Sequence, residues 1–166
     1  DRWLSDEEEE RLLNNSPEWL RDIIVFDMHT GLRQDELLSL EWSRVDFDRK
    51  TILIQKTKNG KPKTLPLNLI ALNILKAKSK VRSTRNDLVF LSNIGTKINR
   101  QNLCRAFKKV LDNAEIEDFR FHDLRHCFAT RLVQNGDIYK VAKLMGHKQD
   151  DSALFSSQYG EPEEWS

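Results

Sequence analysis

What this sequence lacks narrows its class before any motif is read. No apolar run in its 166 residues approaches the roughly 20 needed for a membrane-spanning helix. Only two cysteines are present, Cys104 and Cys127, both in helical, apolar contexts. They are expected as buried free thiols in a reducing compartment. With six glycines and four prolines, no stretch reads as a linker, and no segment repeats. The opening Asp1 to Glu10 is acidic and polar, unlike the basic-then-apolar order of a signal peptide. What is there, 39% hydrophobic and 32% charged residues, fits a soluble globular protein with one domain and a real core.

The net charge of +1 hides a strong asymmetry. Residues 1–48 hold 5 Lys and Arg against 14 Asp and Glu, a balance of −9. Residues 49–148 hold 22 against 7, or +15, and residues 149–166 hold none against 5. A basic middle of that size suits a polyanionic partner, although a charge run is also the ordinary composition of a solvated face.

Ser5 and Glu8 form a capping box that opens a helix through about Asn14. Pro17 suits the first turn of a second helix and Gly31 its end, with Trp19, Ile23, Ile24, Phe26 and Met28 mostly in the core. Leu37, Leu38 and Leu40 mark a short helix. The apolar, β-branched segment Thr51–Ile54 predicts a strand. Asn59-Gly60 then predicts a tight turn and Thr64 to Leu67 a returning strand, which Pro66 confines to a sheet edge. Helices are expected at about 67–79, 99–113, 122–135 and 137–145, with a short strand from Leu88 to Leu91. Gly136 and Asp137 serve as stop and N-cap. The fold class is therefore mainly α with a small antiparallel β-sheet.

Several residues carry chemistry in this frame, each beside a plainer reading. Arg33 follows the helix-ending Gly31 and is equally an ordinary surface arginine. Lys58 stands beside the Asn59-Gly60 turn, where lysine also serves solubility. His122, Arg125 and His126 are spaced to share a helix face. Such a face suits a metal, but no His-Glu-x-x-His pattern or carboxylate cluster completes a shell. His147 follows Gly146 at a helix end, where it also suits carbonyl capping. Together, two arginines can grip a phosphate's oxygens bidentately, and histidines and a lysine can donate or move protons near neutral pH. That set can stabilise a pentacoordinate phosphate without a metal, given a nucleophile.

The order of these motifs resembles the tyrosine recombinase, or phage integrase, family. Thr30-Gly31-Leu32-Arg33-x-x-Glu36-Leu37-x-x-Leu40-x-Trp42 looks like the family's first arginine motif. Thr57-Lys58-Asn59-Gly60-Lys61 with Pro66-Leu67 resembles its β-hairpin lysine, His122-Asp123-Leu124-Arg125-His126 its His-x-x-Arg box, and Leu144-Met145-Gly146-His147 its later histidine motif. The likeness is collinear from about Leu4 to Lys148. It implies the catalytic fold of these DNA breaking-rejoining enzymes over residues 1–148, with an atypical tail over 149–166. An N-terminal core-binding domain is expected ahead of the chain.

The resemblance further implies that Arg33, Lys58, His122, Arg125 and His147 surround a scissile phosphate in double-stranded DNA. A tyrosine attacks it, forming a 3′-phosphotyrosyl bond, with Lys58 as general acid for the 5′-oxygen and no cofactor or metal. Glu36 and His126 then support the site, and Lys56, Lys61, Lys63, Arg100, Arg105 and Lys148 are the expected DNA contacts. By the same likeness the protein is expected to be tetrameric with other protomers at synapsis, apart from any membrane, and placed in a bacterial cytoplasm on the nucleoid, encoded by bacterium or phage. Because the tail that docks on a neighbouring protomer in this family is altered here, a monomer is expected in solution.

The tail departs from the family's pattern. The nucleophile position, about nine residues beyond His147, is Ser156, and the nearby tyrosine is Tyr159. Tyr139 lies before His147 inside an apolar helix pattern. Tyr159 as nucleophile and a tail translated out of frame after Lys148 are the two readings of that misfit. A binding-only fragment, a type IB topoisomerase-like enzyme and a phosphate-ester hydrolase are the alternatives in function.

Overall fold

The ends of the helices are set by short-range chemistry. The computed structural model describes residues 2–55 and 59–134. Helix α1 (Asp6–Asn14) opens on Ser5, whose hydroxyl accepts the Glu8 N–H at 3.2 Å while the Glu8 carboxylate accepts the Ser5 N–H at 3.1 Å. Helix α2 (Glu18–Thr30) starts just after Pro17, which takes the cap position with φ −63°, one residue outside the expected first turn. It ends on Gly31 at φ +67°, a left-handed conformation that costs glycine nothing. Helix α3 (Gln34–Leu38) follows at once.

Strands β2 (Thr51–Ile54) and β3 (Lys63–Pro66) pair antiparallel, with Ile52 opposite Leu65 and Ile54 opposite Lys63. A two-residue strand β1 (Val45–Asp46), which the sequence did not announce, adds to the far side of β2. The order β1-β2-β3 leaves β3 at an edge, where Pro66 needs no ladder partner. Asn68 caps helix α4 (Leu69–Ser79) by accepting the Ala71 N–H at 2.9 Å, and Asn99 caps helix α5 (Arg100–Asn113) through the Gln101 and Asn102 N–H groups. A 3-10 turn (Phe121–Asp123) leads into helix α6 (Leu124–Gln134).

Helix α2 is the spine of the core. Leu20, Ile23, Ile24, Phe26 and Met28 are each at most 1% exposed, and the helix packs against α4 and α6. Each such side chain contributes about 1.5–3 kcal/mol by leaving water. Phe26 meets Phe90 edge-on at 5.3 Å, and Phe107 of α5 meets Phe121 edge-on at 5.3 Å, tying the 3-10 turn to α5. The architecture is mainly helical with one small antiparallel sheet.

Three expectations change. Leu88 and Leu91 make only isolated bridges, to Glu41 and Lys97, so residues 88–91 form no strand. The run is apolar because Val89 and Phe90 plug the core, not because it pairs along its length. His122 sits in the 3-10 turn instead of on the helix, which begins at Leu124. Cys104 is exposed: Leu103 and Phe107 take the buried stripe of α5, and Cys104 falls one residue off it. Cys127 is buried as expected. Of the α2 residues expected mostly in the core, Trp19 is the exception at 41% exposed, since Leu20 occupies the inward position beside it. Among the described residues, no helix is long and apolar enough to cross a membrane. The expected helix at 137–145, Gly136, Asp137, Tyr139 and the tail fall outside the described residues.

Candidate active site

The turn that ends α2 builds the site. Gly31 donates its N–H to the Asp27 carbonyl at 2.8 Å, closing the helix. Its own carbonyl accepts the Nε–H of Arg125 at 2.8 Å, across 94 residues of sequence. A Cβ at Gly31 would run into the ring of Phe128 on α6, so the absence of a side chain lets α6 approach closely enough for Arg125 to reach the turn. Two residues on, the Arg33 N–H donates to Glu36 Oε1 at 2.8 Å, which fixes the first turn of α3 and the place from which the Arg33 side chain departs.

Arg125 is buried, unusually for an arginine. Burial is the main cause that lowers its pKa, with the Arg33 charge acting the same way and the carboxylates of Glu36 and Asp27 opposing. Two guanidiniums therefore share one field, with two carboxyl groups against it. Lys63 joins them from β3: its pKa is lowered by burial first and then by Arg125 and Arg33, while Glu36 opposes. It lies two residues before the buried Leu65 and so shares that strand's inner face.

His122 has its pKa lowered by desolvation, then by Arg125 and His126, although the residue keeps an exposed face. A neutral imidazole is thus available to accept a hydrogen bond or a proton near pH 7. Its ring stands edge-on to His126 at 6.1 Å. The buried Asp123 accepts the Arg120 N–H at 2.9 Å through Oδ2, holding the 3-10 turn, and its Oδ1 lies 3.9 Å from His126 Nε2.

Asp27 is the residue that sequence reading missed. It is 1% exposed on the inward stripe of α2, three and four residues beyond Ile24 and Ile23. A carboxylate on a helix's apolar stripe was the visible signal. Burial drives its pKa well above the ordinary carboxylate range, with the Arg125 charge opposing.

Of the expected DNA contacts, Lys63 turns inward to the cluster and Lys61 is exposed. Arg100 lies along α3, donating to Gln34 Oε1 at 3.1 Å and standing 3.6 Å from Asp35. Arg105 turns to Asn102 on its own helix at 3.1 Å. The structure thus brings together Arg33, Glu36, His122 and Arg125, and adds Lys63 and Asp27. Lys56, Lys58, His147, Lys148 and Tyr159 lie outside the described residues. Among the described residues, no three His, Cys, Asp or Glu side chains gather to hold a metal.

This geometry meets a consistent set of likenesses. The integrase of Salmonella phage P22 is 35% identical over 162 residues, covering 87% of this chain and 40% of that protein. Tyrosine recombinase XerD of Listeria monocytogenes serotype 4b is 36% identical over 154 residues, covering 83% and 51%. The chain therefore spans about half the length or less of these relatives. In structure it is similar to the XerA recombinase, with TM-score 0.76, 23% identity and coverage of 94% of this chain and 58% of that one. It is also similar to residues 75–356 of lambda integrase in a dimer bound to a COC′ core site, with TM-score 0.75, 21% identity and coverage of 90% and 58%. At that identity the two structures establish the shared fold. The profile of the phage integrase family matches residues 2–159, nearly the whole chain, and this protein belongs to that family.

Proposed function

We propose that this chain is the catalytic domain of a site-specific DNA recombinase, a strand transferase working through a 3′-phosphotyrosyl intermediate. The observation that carries the reading is the buried Arg125 bonded to the Gly31 carbonyl, in one electrostatic cluster with Arg33. Two guanidiniums that share one field are suited to grip an anion bidentately. Membership of the integrase family supports a DNA phosphodiester as that anion.

In this reading Arg33 and Arg125 hold the two non-bridging oxygens and stabilise the charge that builds up at phosphorus. The tyrosine oxygen attacks phosphorus, the bond to the 5′-oxygen breaks, and Lys58 protonates that oxygen. His122, neutral before DNA arrives, accepts a hydrogen bond or the phenolic proton, and a bound phosphate that offsets Arg125 raises its basicity. His147 supplies a further donor, and His126 backs His122. The phosphotyrosyl ester keeps the energy of the broken bond, so rejoining needs no nucleotide or metal. Tyr159 is the assigned nucleophile. Residues 1–148 form the catalytic domain and 149–166 the tail, an N-terminal core-binding domain completes the clamp on DNA, and the enzyme works in the cytoplasm on double-stranded DNA as a tetramer of protomers. Lys61, Arg100 and Arg105 with Lys56 and Lys148 contact backbone phosphates, giving salt-sensitive binding.

Covalent trapping tests this. The protein is incubated with a pool of nicked duplexes, denatured, and examined for DNA that stays attached. An adduct abolished by Tyr159→Phe and by Arg125→Ala is expected. An adduct that survives both substitutions, or no adduct from a pool cleaved by a related recombinase, overturns the reading.

A further inference from the structure

Helix α4 is apolar on two sides. Ala71, Leu72 and Leu75 enter the core, yet Ile70 is 47% exposed and Val81, in the turn just after the helix, is 78% exposed. Ile70, Ile74, Ala77 and Val81 recur at helical spacing, so they form one outward row, with Ile74 half-buried and Ala77 exposed. A single exposed apolar side chain is ordinary, but a contiguous row marks a contact surface. The row has a basic border on both sides. Lys76 and Lys80 are exposed along one edge, and Lys78 lies along the other, 3.3 Å from Asp22.

The opposite combination stands at the entrance to α1. Trp3 is 56% exposed there, on a fixed support. The Arg2 guanidinium donates to the Trp3 carbonyl at 3.3 Å, to the Glu117 carbonyl at 2.7 Å and to both carboxylate oxygens of Glu8, at 3.1 and 2.8 Å. Leu4, on the other side of Trp3, is buried. An indole presented on an ordered backbone is a strong anchor, because little freedom is lost when it is covered. Its border is acidic. Glu8 is turned to Arg2 and Glu9 to Arg131, while Asp6, Glu7 and Glu10 face water on one side of the helix.

We infer that α4 of one protomer receives Trp3 and the acidic first turn of α1 from a second copy of this chain. Apolar row meets indole, and lysines meet carboxylates. The two surfaces differ, so the contact runs head to tail, and each protomer offers α1 to one neighbour and α4 to another. Contacts of that kind close into a ring when the rotation allows, which suits four protomers on DNA. An 11-residue helix is only about 16 Å long, so the interface falls in the small class, below about 1,200 Å². It therefore associates weakly until DNA aligns the protomers, in keeping with the monomer expected in solution. The role on DNA rests on the proposed recombinase function, whereas the contact itself is measured without DNA.

Sedimentation equilibrium of the full chain at about 0.1–1 mM tests it, the range in which so small an interface associates. The parent is expected to self-associate, at least about fivefold more weakly in 0.5 M than in 0.05 M salt, because the charged borders attract through water. Trp3→Ala and Val81→Glu should each weaken association at least about tenfold at unchanged unfolding midpoints, since both side chains are exposed. An equimolar mixture of the two variants should recover to within about threefold of the parent, because one brings an intact α4 and the other an intact Trp3. A mixture that stays monomeric overturns the inference. So does parental association by either variant, indifference to salt, or a parent that is monomeric throughout. Should a substitution lower the unfolding midpoint, exchanging the borders decides: Lys76→Glu/Lys80→Glu must weaken association, and adding Glu7→Lys/Glu10→Lys must restore it. Covalent trapping on a nicked duplex with one site uses neither surface, so both variants should form adduct at the parental rate. Lost association with trapping intact removes only this contact, and lost trapping with association intact removes only the recombinase reading.

Discussion

Replacing Gly31 with alanine puts the whole site geometry at risk through one methyl group. Gly31 sits at φ +67°, and an L-residue there costs about 1–2 kcal/mol. The added Cβ would also lie 2.8 Å from Phe128 Cε2 and nearer still to Cδ2, against a ring that is buried and cannot swing aside freely. Overpacking of that kind costs about 1–3 kcal/mol. Alanine restricts the unfolded chain, which returns about 0.4–1 kcal/mol. The net expectation is a loss of about 1–4.5 kcal/mol, a large share of the roughly 5–15 kcal/mol that holds a domain folded. Equilibrium urea unfolding, followed by far-UV circular dichroism with the slope compared between variants, measures it. The double variant Gly31→Ala/Phe128→Leu separates the two causes, because a smaller side chain relieves the collision and leaves the left-handed cost. A Gly31→Ala loss below about 1 kcal/mol would refute the close approach of α6 to the turn, and with it the account of how Arg125 reaches the Gly31 carbonyl.

Other consequences can be checked with simpler means. Arg125→Lys removes the Nε–H bond to Gly31 and the bidentate fork, so the rate of covalent adduct formation should fall about 10²–10³-fold, read by quenched trapping time courses. His29 accepts from Arg131 Nη1 at 3.1 Å, and Arg131 in turn bonds Glu9 at 3.0 Å, linking α1, α2 and α6. Burial and then the Arg131 charge lower the His29 pKa to about 4, so the fold prefers the neutral ring. Its contribution is complete above the unfolded value of about 6.5 and is lost as pH falls from there toward 4. Because the ring is half-buried, the effect is on the order of 1 kcal/mol, seen as a shallower acid limb of unfolding midpoint against pH in His29→Gln than in the parent. Cys104 should react with a thiol reagent in the native state at nearly the rate of a free thiol. Cys127, buried and with its pKa raised by that burial, should react only on unfolding, so the native titre is one thiol per chain.

Much of this protein was legible in the sequence because the relevant rules act over a few residues. Ser5 and Glu8 cap α1 by bonds three positions apart, Gly31 ends α2 through its own backbone freedom, and Pro66 selects an edge strand by lacking a donor. The motifs around Arg33, His122 and Arg125 were visible for the same reason, and so was the family they resemble. Where that reading went astray, the deciding contact was distant. The apolar run at 88–91 looked like a strand, yet whether it pairs depends on neighbours that local pattern does not contain.

Only the tertiary structure decided which charged residues share a field. Asp27 stands in sequence beside apolar residues, and Lys63 among the basic residues of a hairpin, yet both face Arg125 from α2 and β3. Arg125 itself finds Gly31 across 94 residues, through a contact that exists because α6 packs on α2 at the one position without a side chain. The sequence alone determined the helices, the hairpin and the chemical inventory, since propensity, capping and turn chemistry are properties of short segments. Burial and the displaced pKa values came from packing, because desolvation and Coulomb interaction depend on which groups are near in space, whatever their distance along the chain.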